Sequence, residues 1–403
     1  MRAFALKTLY FINRAVIHPV TALSSVRWRA AQSRFSCSSS PAEEKPRASM
    51  LRHLTSKIKA TGPIPVAEYM REVLTNPVTG YYVRNNMLGP EGDFITSPEI
   101  SQIFGELVGV WCVSEWMGAG RPSQLQLVEF GPGKGSLASD VLRVFSQLRA
   151  ALGGASVSLH LVEVSPALSR IQAECLTGNQ NQEADSEDEP VYRRGETSGG
   201  LPVCWYRRID DVPAGFSIYL AHEFFDALPI HKFQRTEKGW REVMVDIDPE
   251  KPDQLRFVLL PSPTLASSTL IQGFKGHQLH DVLASPGSAD LTADVDFGYL
   301  RRMAGGGVAC LGPVSQSSFL KNMGIDARLQ VLLRNCSDPS SRQQLVQGFD
   351  LLTDPRKMGE RFRFFSLLHH SRLAKPKTPQ GLKMEKKSPA PLPVAGFTEL
   401  SFS

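Results

Sequence analysis

LVEFGPGKGS, residues 127–136, joins a short apolar run to a turn that contains three glycines, a proline and a lysine. The run has the composition of a buried strand, and the residues that follow it carry apolar side chains at helical spacing. A strand-to-helix turn this rich in glycine brings bare backbone and helix N-terminal N–H groups close to a ligand. Three ligand classes suit such a turn: a nucleotide phosphate, a dinucleotide, and an adenosyl group without phosphate.

The spacing of the glycines separates these three classes. A P-loop requires G-x-x-x-x-G-K-[ST], but Lys134 is followed by glycine. The dinucleotide fingerprint G-x-G-x-x-G is met at its first two glycines, whereas Ser136 stands at the third. The pattern that remains is E-x-G-x-G-x-G, formed by Glu129, Gly131, Gly133 and Gly135. It favours an adenosyl ligand whose ammonium group the strand-end carboxylate takes, and a purely structural βα turn is the alternative.

An alternation of strand and helix patterns surrounds this turn. Apolar runs occur in LQLVEF, SLHLVEV, VCWYRR and GFSIYLAHEFFDALP, and the first two are followed by amphipathic helical segments. This order predicts an α/β fold with a mostly parallel, Rossmann-like sheet and helices on both faces. After Pro229, IHKFQRTEKGWREVMVDID alternates around a Lys238–Gly239 step and predicts a β-hairpin insertion, with QLRFVLL as a partner strand.

Acidic residues stand at the ends of two further predicted strands. Glu163 ends the second strand in HLVEVSP, where a carboxylate can accept hydrogen bonds from both hydroxyls of a ribose; capping of the following helix is the alternative. Glu223 and Asp226 follow the fourth strand in LAHEFFDALP. Reacting groups of open α/β sheets lie outside the carboxyl ends of the strands, so these two acids are the candidate catalytic pair.

Composition limits the classes of partner. The 403 residues have a mild net charge of +5, carried mostly by the terminal segments, which does not indicate a nucleic-acid partner. Six cysteines are scattered without metal-ligand spacing, so no metal site is predicted. No apolar run reaches the roughly 18 residues of a transmembrane helix.

The two ends of the chain differ in composition from its middle. Residues 1–46 are rich in arginine and serine and carry no acid before Glu43, which predicts a mitochondrial transit peptide and a location in the matrix. Residues 47–122 are predicted as a helical N-terminal extension, 123–370 as the α/β domain, and 371–403 as a disordered, low-complexity tail. TGNQNQEADSEDEP is predicted as a solvated loop.

Several motifs from residue 50 onward resemble the MidA family of class I S-adenosylmethionine-dependent methyltransferases. They are GPIPVAEYM, GDFITSPEISQIFGE, VEFGPGKGSL, HLVEVSP, AHEFFDALP, HDVLASPGSADLTADVDF and MGERFRFFSLL. The resemblance implies S-adenosyl-L-methionine as cofactor and methyl transfer to an arginine of the 49-kDa core subunit of mitochondrial complex I during its assembly. It also implies that the GDFITSPE loop, residues 92–99 with Ser97, covers the cofactor, that the glycine turn and Glu163 bind it, and that Glu223 and Asp226 hold the substrate.

One departure from the family pattern concerns residues 263–293. The family has a further helix and strand between the segments that match STLIQ and GFKGHQLHDVL, whereas Gln272 here is followed directly by Gly273. A sheet without that strand has unpaired backbone groups in its interior. Two alternatives to an active methyltransferase therefore stay open: an assembly chaperone that keeps the fold without catalysis, and, from the partial fingerprint, an NAD-dependent oxidoreductase.

Overall fold

The structure is a computed structural model, and it describes residues 7–14, 46–83, 95–178, 181–184, 189–261, 271–275, 278–373 and 394–397. The strands are β1 (Lys7–Arg14), β2 (Ile64–Pro65), β3 (Gln124–Phe130), β4 (Ser156–Val162), β5 (Asn181–Glu183), β6 (Val191–Glu196), β7 (Pro202–Tyr206), β8 (Ser217–His222), β9 (Lys232–Thr236), β10 (Gly239–Ile247), β11 (Leu255–Leu259), β12 (Ile271–Lys275), β13 (Gln278–His280), β14 (Asp290–Ala293), β15 (Val308–Ser315) and β16 (Phe362–His369). The α-helices are α1 (Pro46–Thr61), α2 (Val66–Thr75), α3 (Ser97–Ile100), α4 (Gln102–Gly118), α5 (Ser136–Gln147), α6 (Arg149–Leu152), α7 (Pro166–Thr177), α8 (Phe297–Ala304), α9 (Gln316–Asn322), α10 (Ile325–Asn335), α11 (Pro339–Thr353) and α12 (His370–Leu373).

The central sheet has nine strands in the order β15-β16-β1-β8-β3-β4-β7-β6-β5. Its middle is parallel: β3 pairs with β4 and β8, β4 pairs with β7, and β1 pairs with β8. The flanking pairs at both edges are antiparallel. The four strands predicted around the glycine turn are therefore confirmed, and their carboxyl ends meet at one edge of the sheet.

Helices cover both faces of this sheet. Ile218 and Leu220 of β8 belong to the main core, together with apolar residues of α4, α5 and α7. Ala221 of the same strand packs into a second cluster on the other side, which includes Phe297 of α8 and Phe365 of β16. Alternate residues of a strand point to opposite faces, and β8 is buried along its whole length because helices lie on both.

A separate core holds the N-terminal helices and the predicted hairpin together. Strand β10 pairs with β9, β11 and the short β2, and buried residues of α1 and α2 pack with Val243 and Val245 of β10. Helix α4 instead lies in the main core, where Trp111 is fully buried. The hairpin is confirmed, and the helices of segment 47–122 pack in two different cores.

Two segments expected to lack folded structure pack as part of the fold. The polar segment predicted as a solvated loop contributes β5 and part of a hairpin with β6, although 179–180 and 185–188 lie outside the described residues. Polar side chains suit such an edge because they face solvent on an outermost strand. In the predicted tail, Val394 and Phe397 are buried in the main core, and the Trp111 indole donates to the Ala395 carbonyl oxygen at 3.1 Å.

The greatest difference from expectation is at the N-terminus. Within the predicted transit peptide, residues Lys7–Arg14 form β1 in the interior of the central sheet, and the rest of residues 1–45 lies outside the described part of the chain. Residues on both sides of the Gln272–Gly273 step form a separate antiparallel sheet, β13-β12-β14. The described residues of this part of the chain therefore add no strand beside β8. This agrees with the sequence, which shows no further helix and strand between residues 263 and 293.

Across the described ranges, none of the helices combines the length and the apolar composition of a membrane-spanning segment. The same ranges hold no cluster of three or more histidine, cysteine or acidic side chains placed to bind a metal ion.

Candidate functional site

The turn after β3 has the backbone that its glycines predict. Gly131, Gly133 and Gly135 all have left-handed φ values, +55°, +56° and +87°. The N–H of Gly131 donates to the Val162 carbonyl at the end of β4 at 3.0 Å, which fixes the turn against the neighbouring strand. A β-carbon added to Gly131 would lie 2.9 Å from Cδ2 of Phe224. The turn therefore requires glycine at this position both for its φ and for the close approach of Phe224.

Glu129 is a buried carboxylate at the carboxyl end of β3. Its exposed fraction is only 3%, and its Oε2 atom has no hydrogen-bond partner within the part of the chain that the structure describes. Burial raises the pKa of this carboxyl to about 8. A buried acceptor without a donor is costly in an isolated protein. It fits a ligand that brings a positively charged donor, such as an ammonium group.

Glu163, at the end of β4, is also buried, but its oxygens are engaged. Oε1 accepts from the backbone N–H of Ser165 at 2.8 Å, and Oε2 accepts from the Gln172 amide at 3.0 Å. Burial raises the pKa of Glu163, and these two hydrogen bonds oppose that shift. The carboxylate thus orders the start of α7, which was the alternative interpretation of this residue. A carboxylate has about four acceptor positions, so a ribose role stays compatible with these bonds.

Gln172 of α7 connects the glycine turn to Glu163. Its Nε2 atom also donates to the Gly133 carbonyl oxygen at 2.8 Å, and its Oε1 atom accepts from the Trp205 indole at 3.0 Å. Sequence reasoning missed this residue. The signal was present, because a glutamine lies at helical spacing between the buried Leu168 and Leu176.

The turn after β8 places Glu223 in an unusual backbone conformation. Its φ is +46°, a left-handed value that is uncommon for a residue with a side chain. One Glu223 oxygen lies 3.5 Å from Nε2 of His222. Burial lowers the pKa of His222 to about 3, so this imidazole is neutral at physiological pH. The neighbouring Phe224 stacks on Phe130 with ring centroids 5.5 Å apart, which joins this turn to the glycine turn.

Asp226 lies on a short 3-10 helix and is buried close to Tyr82 from the N-terminal segment. The Tyr82 hydroxyl donates to Oδ1 of Asp290 at 2.8 Å. Burial, the charge of Asp290 and the charge of Asp226 all raise the pKa of Tyr82. The Tyr82 carbonyl also accepts from the Ser165 hydroxyl at 2.7 Å. Tyr82 and Asp290, which were not predicted as site residues, thus bring two further segments to the sheet edge.

Ser97 begins α3, and its side chain is bonded to Gln316 of α9. It is fully buried, and its hydroxyl donates to Oε1 of Gln316 at 3.3 Å, while the Gln316 amide donates to the Leu352 carbonyl. Residues 92–94 of the predicted cofactor-covering loop lie outside the described part of the chain. The contact of Ser97 with Gln316 does not join it to the glycine turn, and its role toward a cofactor stays a prediction.

The known proteins that this chain resembles are described as methyltransferases. A family profile described as "Putative S-adenosyl-L-methionine-dependent methyltransferase" matches two overlapping segments of this chain, residues 107–271 and 264–314. A zebrafish protein, "Protein arginine methyltransferase NDUFAF7, mitochondrial", is 60% identical over 413 aligned positions, covering 91% of this chain and 95% of its own. The human protein of that name is 52% identical, with 91% and 93% covered.

A solved structure has the same fold. It is a "COG1565 superfamily member and likely methyl transferase from Burkholderia thailandensis bound to S-adenosyl-homocysteine", 21% identical, with a TM-score of 0.66. The match covers 85% of this chain and all of the bacterial chain. At this identity the likeness concerns the architecture, and it confirms the predicted methyltransferase fold.

Proposed function

Because this chain belongs to the family of putative S-adenosyl-L-methionine-dependent methyltransferases, we propose that it transfers a methyl group to an arginine side chain of a protein. Family membership confirms the predicted enzyme class and cofactor. Arginine as the acceptor is supported by the names of relatives aligned over more than nine-tenths of this chain. The same names, together with the arginine- and serine-rich N-terminus, support a mitochondrial location, within which we place the chain in the matrix.

The proposed substrate is the 49-kDa core subunit of complex I, methylated during assembly of that complex. This finer assignment rests on the family motifs of the sequence, above all GDFITSPE and FFDALP. Acidic side chains from several separate segments lie at this edge of the sheet, and carboxylates are the groups that bind the guanidinium of a protein arginine. No nucleic-acid partner is included, because the net charge of +5 is mild.

The observation that supports cofactor binding most strongly is the buried carboxylate beside the bare turn. Glu129 would hold the ammonium group of S-adenosylmethionine, the backbone of the glycine turn would lie along its amino-acid and ribose parts, and Glu163 would accept from the ribose hydroxyls. When bound, the cofactor supplies a methyl group activated by its sulfonium. The task of the protein residues is therefore to orient the reactants and exclude water.

Glu223 and Asp226 are the proposed substrate residues. Arginine stays protonated at physiological pH, so its nitrogen lone pairs are delocalised and weakly nucleophilic. A pair of carboxylates binds the planar guanidinium through several charge-assisted hydrogen bonds and fixes which nitrogen faces the methyl donor. The positive φ of Glu223 and the burial of Asp226 support this role, because both place acids at the end of β8 at a cost in stability.

The proposal is tested by methylation of the purified 49-kDa subunit with Glu223→Gln and Asp226→Asn variants. We expect each to lower turnover by about a hundredfold or more while S-adenosylhomocysteine binds as before. Glu237→Gln, an exposed acid on the β9–β10 turn, is the matched control and should keep full activity. Undiminished turnover in both site variants would remove these acids from the reaction.

A non-catalytic assembly chaperone is the second candidate, and one observation favours it. The position beside β8 is filled by a segment from outside the family motifs, and such a replacement can preserve a fold without preserving activity. A chain that binds the 49-kDa subunit but gives no calorimetric signal with S-adenosylmethionine would be this chaperone. The oxidoreductase alternative lacks support, since Ser136 occupies the third fingerprint position and begins α5.

A further inference from the structure

His222, the last residue of β8, has a buried ring nitrogen without a hydrogen bond. Its side chain lies on the same face of the sheet as those of Ile218 and Leu220, and its ring contacts Phe104 of α4, with centroids 5.3 Å apart. Solvent does not reach the Nε2 atom, and among the described residues no group forms a hydrogen bond with it. A buried polar atom in this state destabilises a fold, so a structural role does not account for it.

His160, on β4 of the same sheet, is a histidine whose surroundings do fit a structural role. One of its ring nitrogens lies 2.8 Å from the Ser158 hydroxyl, and the other lies 2.9 Å from the Tyr206 hydroxyl. Burial lowers the pKa of both histidines, to about 4 for His160 and to about 3 for His222, so both imidazoles are neutral at physiological pH. The two residues therefore differ in bonding and not in charge.

The Glu223 carboxylate is the polar group next to this nitrogen, with one oxygen 3.5 Å from Nε2 of His222. Successive residues of a regular strand point to opposite faces, so these two side chains meet only because β8 ends at His222 and the Glu223 backbone turns with a φ of +46°. A separation of 3.5 Å is longer than a good hydrogen bond. Such contacts in a site without its substrate commonly shorten when the substrate binds.

We propose that His222 is a positioning residue for methyl transfer, whose Nε2–H donates to the Glu223 carboxylate and directs its other oxygen toward the substrate guanidinium. A neutral imidazole suits this role, because it fixes the carboxylate without cancelling the negative charge that binds arginine. An imidazolium would form an ion pair with Glu223 and compete with the substrate. The inference rests on the proposed function of Glu223 and adds the residue that orients it.

Replacement of His222 by phenylalanine separates this role from a structural one. His222→Phe keeps a ring against Phe104 and removes the unbonded nitrogen, so the thermal midpoint should stay the same or increase. Turnover on the 49-kDa subunit should fall about tenfold or more, whereas the affinity for S-adenosylhomocysteine should not change. His222→Gln, whose amide nitrogen is as many bonds from the backbone as Nε2, should recover most of the turnover.

His160→Phe is the matched control, and it should behave in the opposite way. The Ser158 and Tyr206 hydroxyls lose their partner in this variant, so the thermal midpoint should fall by roughly 2 °C or more. The folded fraction should keep full turnover. A midpoint for His222→Phe that falls as far as that of His160→Phe, without a selective loss of turnover, would assign His222 a structural role and overturn the inference.

The results distinguish this inference from the function on which it rests. Undiminished turnover in His222→Phe, together with a loss of turnover in Glu223→Gln, would overturn the role of His222 and leave the proposed function intact. Undiminished turnover in Glu223→Gln would contradict the proposed function, and the role of His222 with it.

A double variant tests whether His222 acts through Glu223. Glu223→Gln/His222→Phe should be no slower than Glu223→Gln alone, because the carboxylate that the imidazole orients is already absent. Losses that multiply in the double variant would overturn the inference, since His222 would then act independently of Glu223.

A measurement on the unmodified protein keeps the inference falsifiable if His222→Phe does not fold. NMR spectra of the full-length chain with isotope-labelled histidine should show His222 at pH 7 as the neutral tautomer with its proton on Nε2. The resonances of this ring are assigned by their loss in His222→Gln. A proton on Nδ1 would overturn the inference, because Nε2 could then not donate to Glu223.

Discussion

Gln172 donates a 3.0 Å hydrogen bond to the carboxylate of Glu163, and the same amide nitrogen lies 2.8 Å from the Gly133 carbonyl oxygen. One buried side chain thereby fixes the distance between the bare turn after β3 and the acid at the end of β4. The Trp205 indole holds the amide in this orientation by donating to its oxygen. The two parts of the proposed adenosyl site are thus positioned by a residue that need not touch the ligand itself.

Replacement of this residue should weaken both the fold and the site. Gln172→Ala leaves the buried oxygens of Gly133 and Glu163 and the Trp205 N–H without their donor or acceptor, which should cost about 2–3 kcal/mol of unfolding free energy. We expect an affinity for S-adenosylhomocysteine about tenfold lower by calorimetry. Glu174→Ala, an exposed change on the same helix, is the control. Unchanged affinity in Gln172→Ala would show that the turn and Glu163 are positioned independently.

The raised pKa of Glu129 predicts how stability depends on pH. Its folded pKa of about 8 lies above the usual 4.5, so the folded protein binds a proton that the unfolded chain releases between these values. This contribution to stability is complete below pH 4.5 and is lost as the pH rises through about 8. Thermal midpoints of Glu129→Gln should therefore fall less than those of the unmodified protein between pH 6 and pH 8.5. Parallel decreases in the two proteins would contradict the assignment.

The same carboxyl predicts proton release on cofactor binding. An ammonium ligand favours the ionised form of Glu129, so binding below about pH 8 requires this group to lose its proton. Calorimetric titrations in buffers of different ionisation enthalpy should show this release at pH 7, and affinity should increase as the pH rises from 6 to 8. Glu129→Gln should show neither effect. Buffer-independent heats in the unmodified protein would argue against contact with the ammonium.

A comparison of Gly131 with Gly153 distinguishes the cost of a left-handed backbone from the cost of a steric clash with Phe224. Gly131 and Gly153 have nearly the same φ, +55° and +59°, but an added β-carbon meets Phe224 at Gly131 and no atom within 4 Å at Gly153. Alanine at either position should cost about 1–2 kcal/mol for its left-handed backbone. Only Gly131→Ala should also abolish detectable cofactor binding. Equal affinities for the two variants would mean that the ligand does not lie against this turn.

A buried ion pair connects the last helix, α12, to α4. Arg372 of α12 donates to both oxygens of Glu115 on α4, at 2.9 Å and 3.0 Å, and both side chains are buried. Arg372→Met leaves the Glu115 carboxylate buried without its cation, and about 3–5 kcal/mol of stability should be lost in denaturant unfolding. Arg356→Met, which removes an exposed guanidinium from its ion pair with Asp354, should have little effect. Similar midpoints for the two variants would place residues 370–373 outside the cooperative fold.

Much of the fold follows from local patterns in the sequence. The parallel strands β3, β4, β7 and β8 are apolar runs bounded by turn residues, and a continuous apolar run is typical of a strand buried on both faces. The β9–β10 hairpin follows from alternation around Gly239. The positive φ values of Gly131 and Gly135 likewise follow from the spacing of glycines between a strand and a helix.

What could not be predicted depends on contacts between distant segments. Tyr82 and Asp290 are 208 positions apart, and neither local spacing nor residue type indicates that they meet. The interior position of β1 was hidden by the arginine- and serine-rich composition around it, which is typical of a leader. Phe397 is buried against Phe319, with ring centroids 5.7 Å apart, and the lysine- and proline-rich composition of residues 374–393 gave no sign of this distant contact.

The most direct test of this account is a crystal structure of the full-length chain with S-adenosylhomocysteine. The ligand should lie along the turn of Gly131, Gly133 and Gly135, with its amino group within hydrogen-bond distance of Glu129 and its ribose at Glu163. A ligand bound elsewhere, or a crevice that stays empty at saturating concentration, would contradict the account.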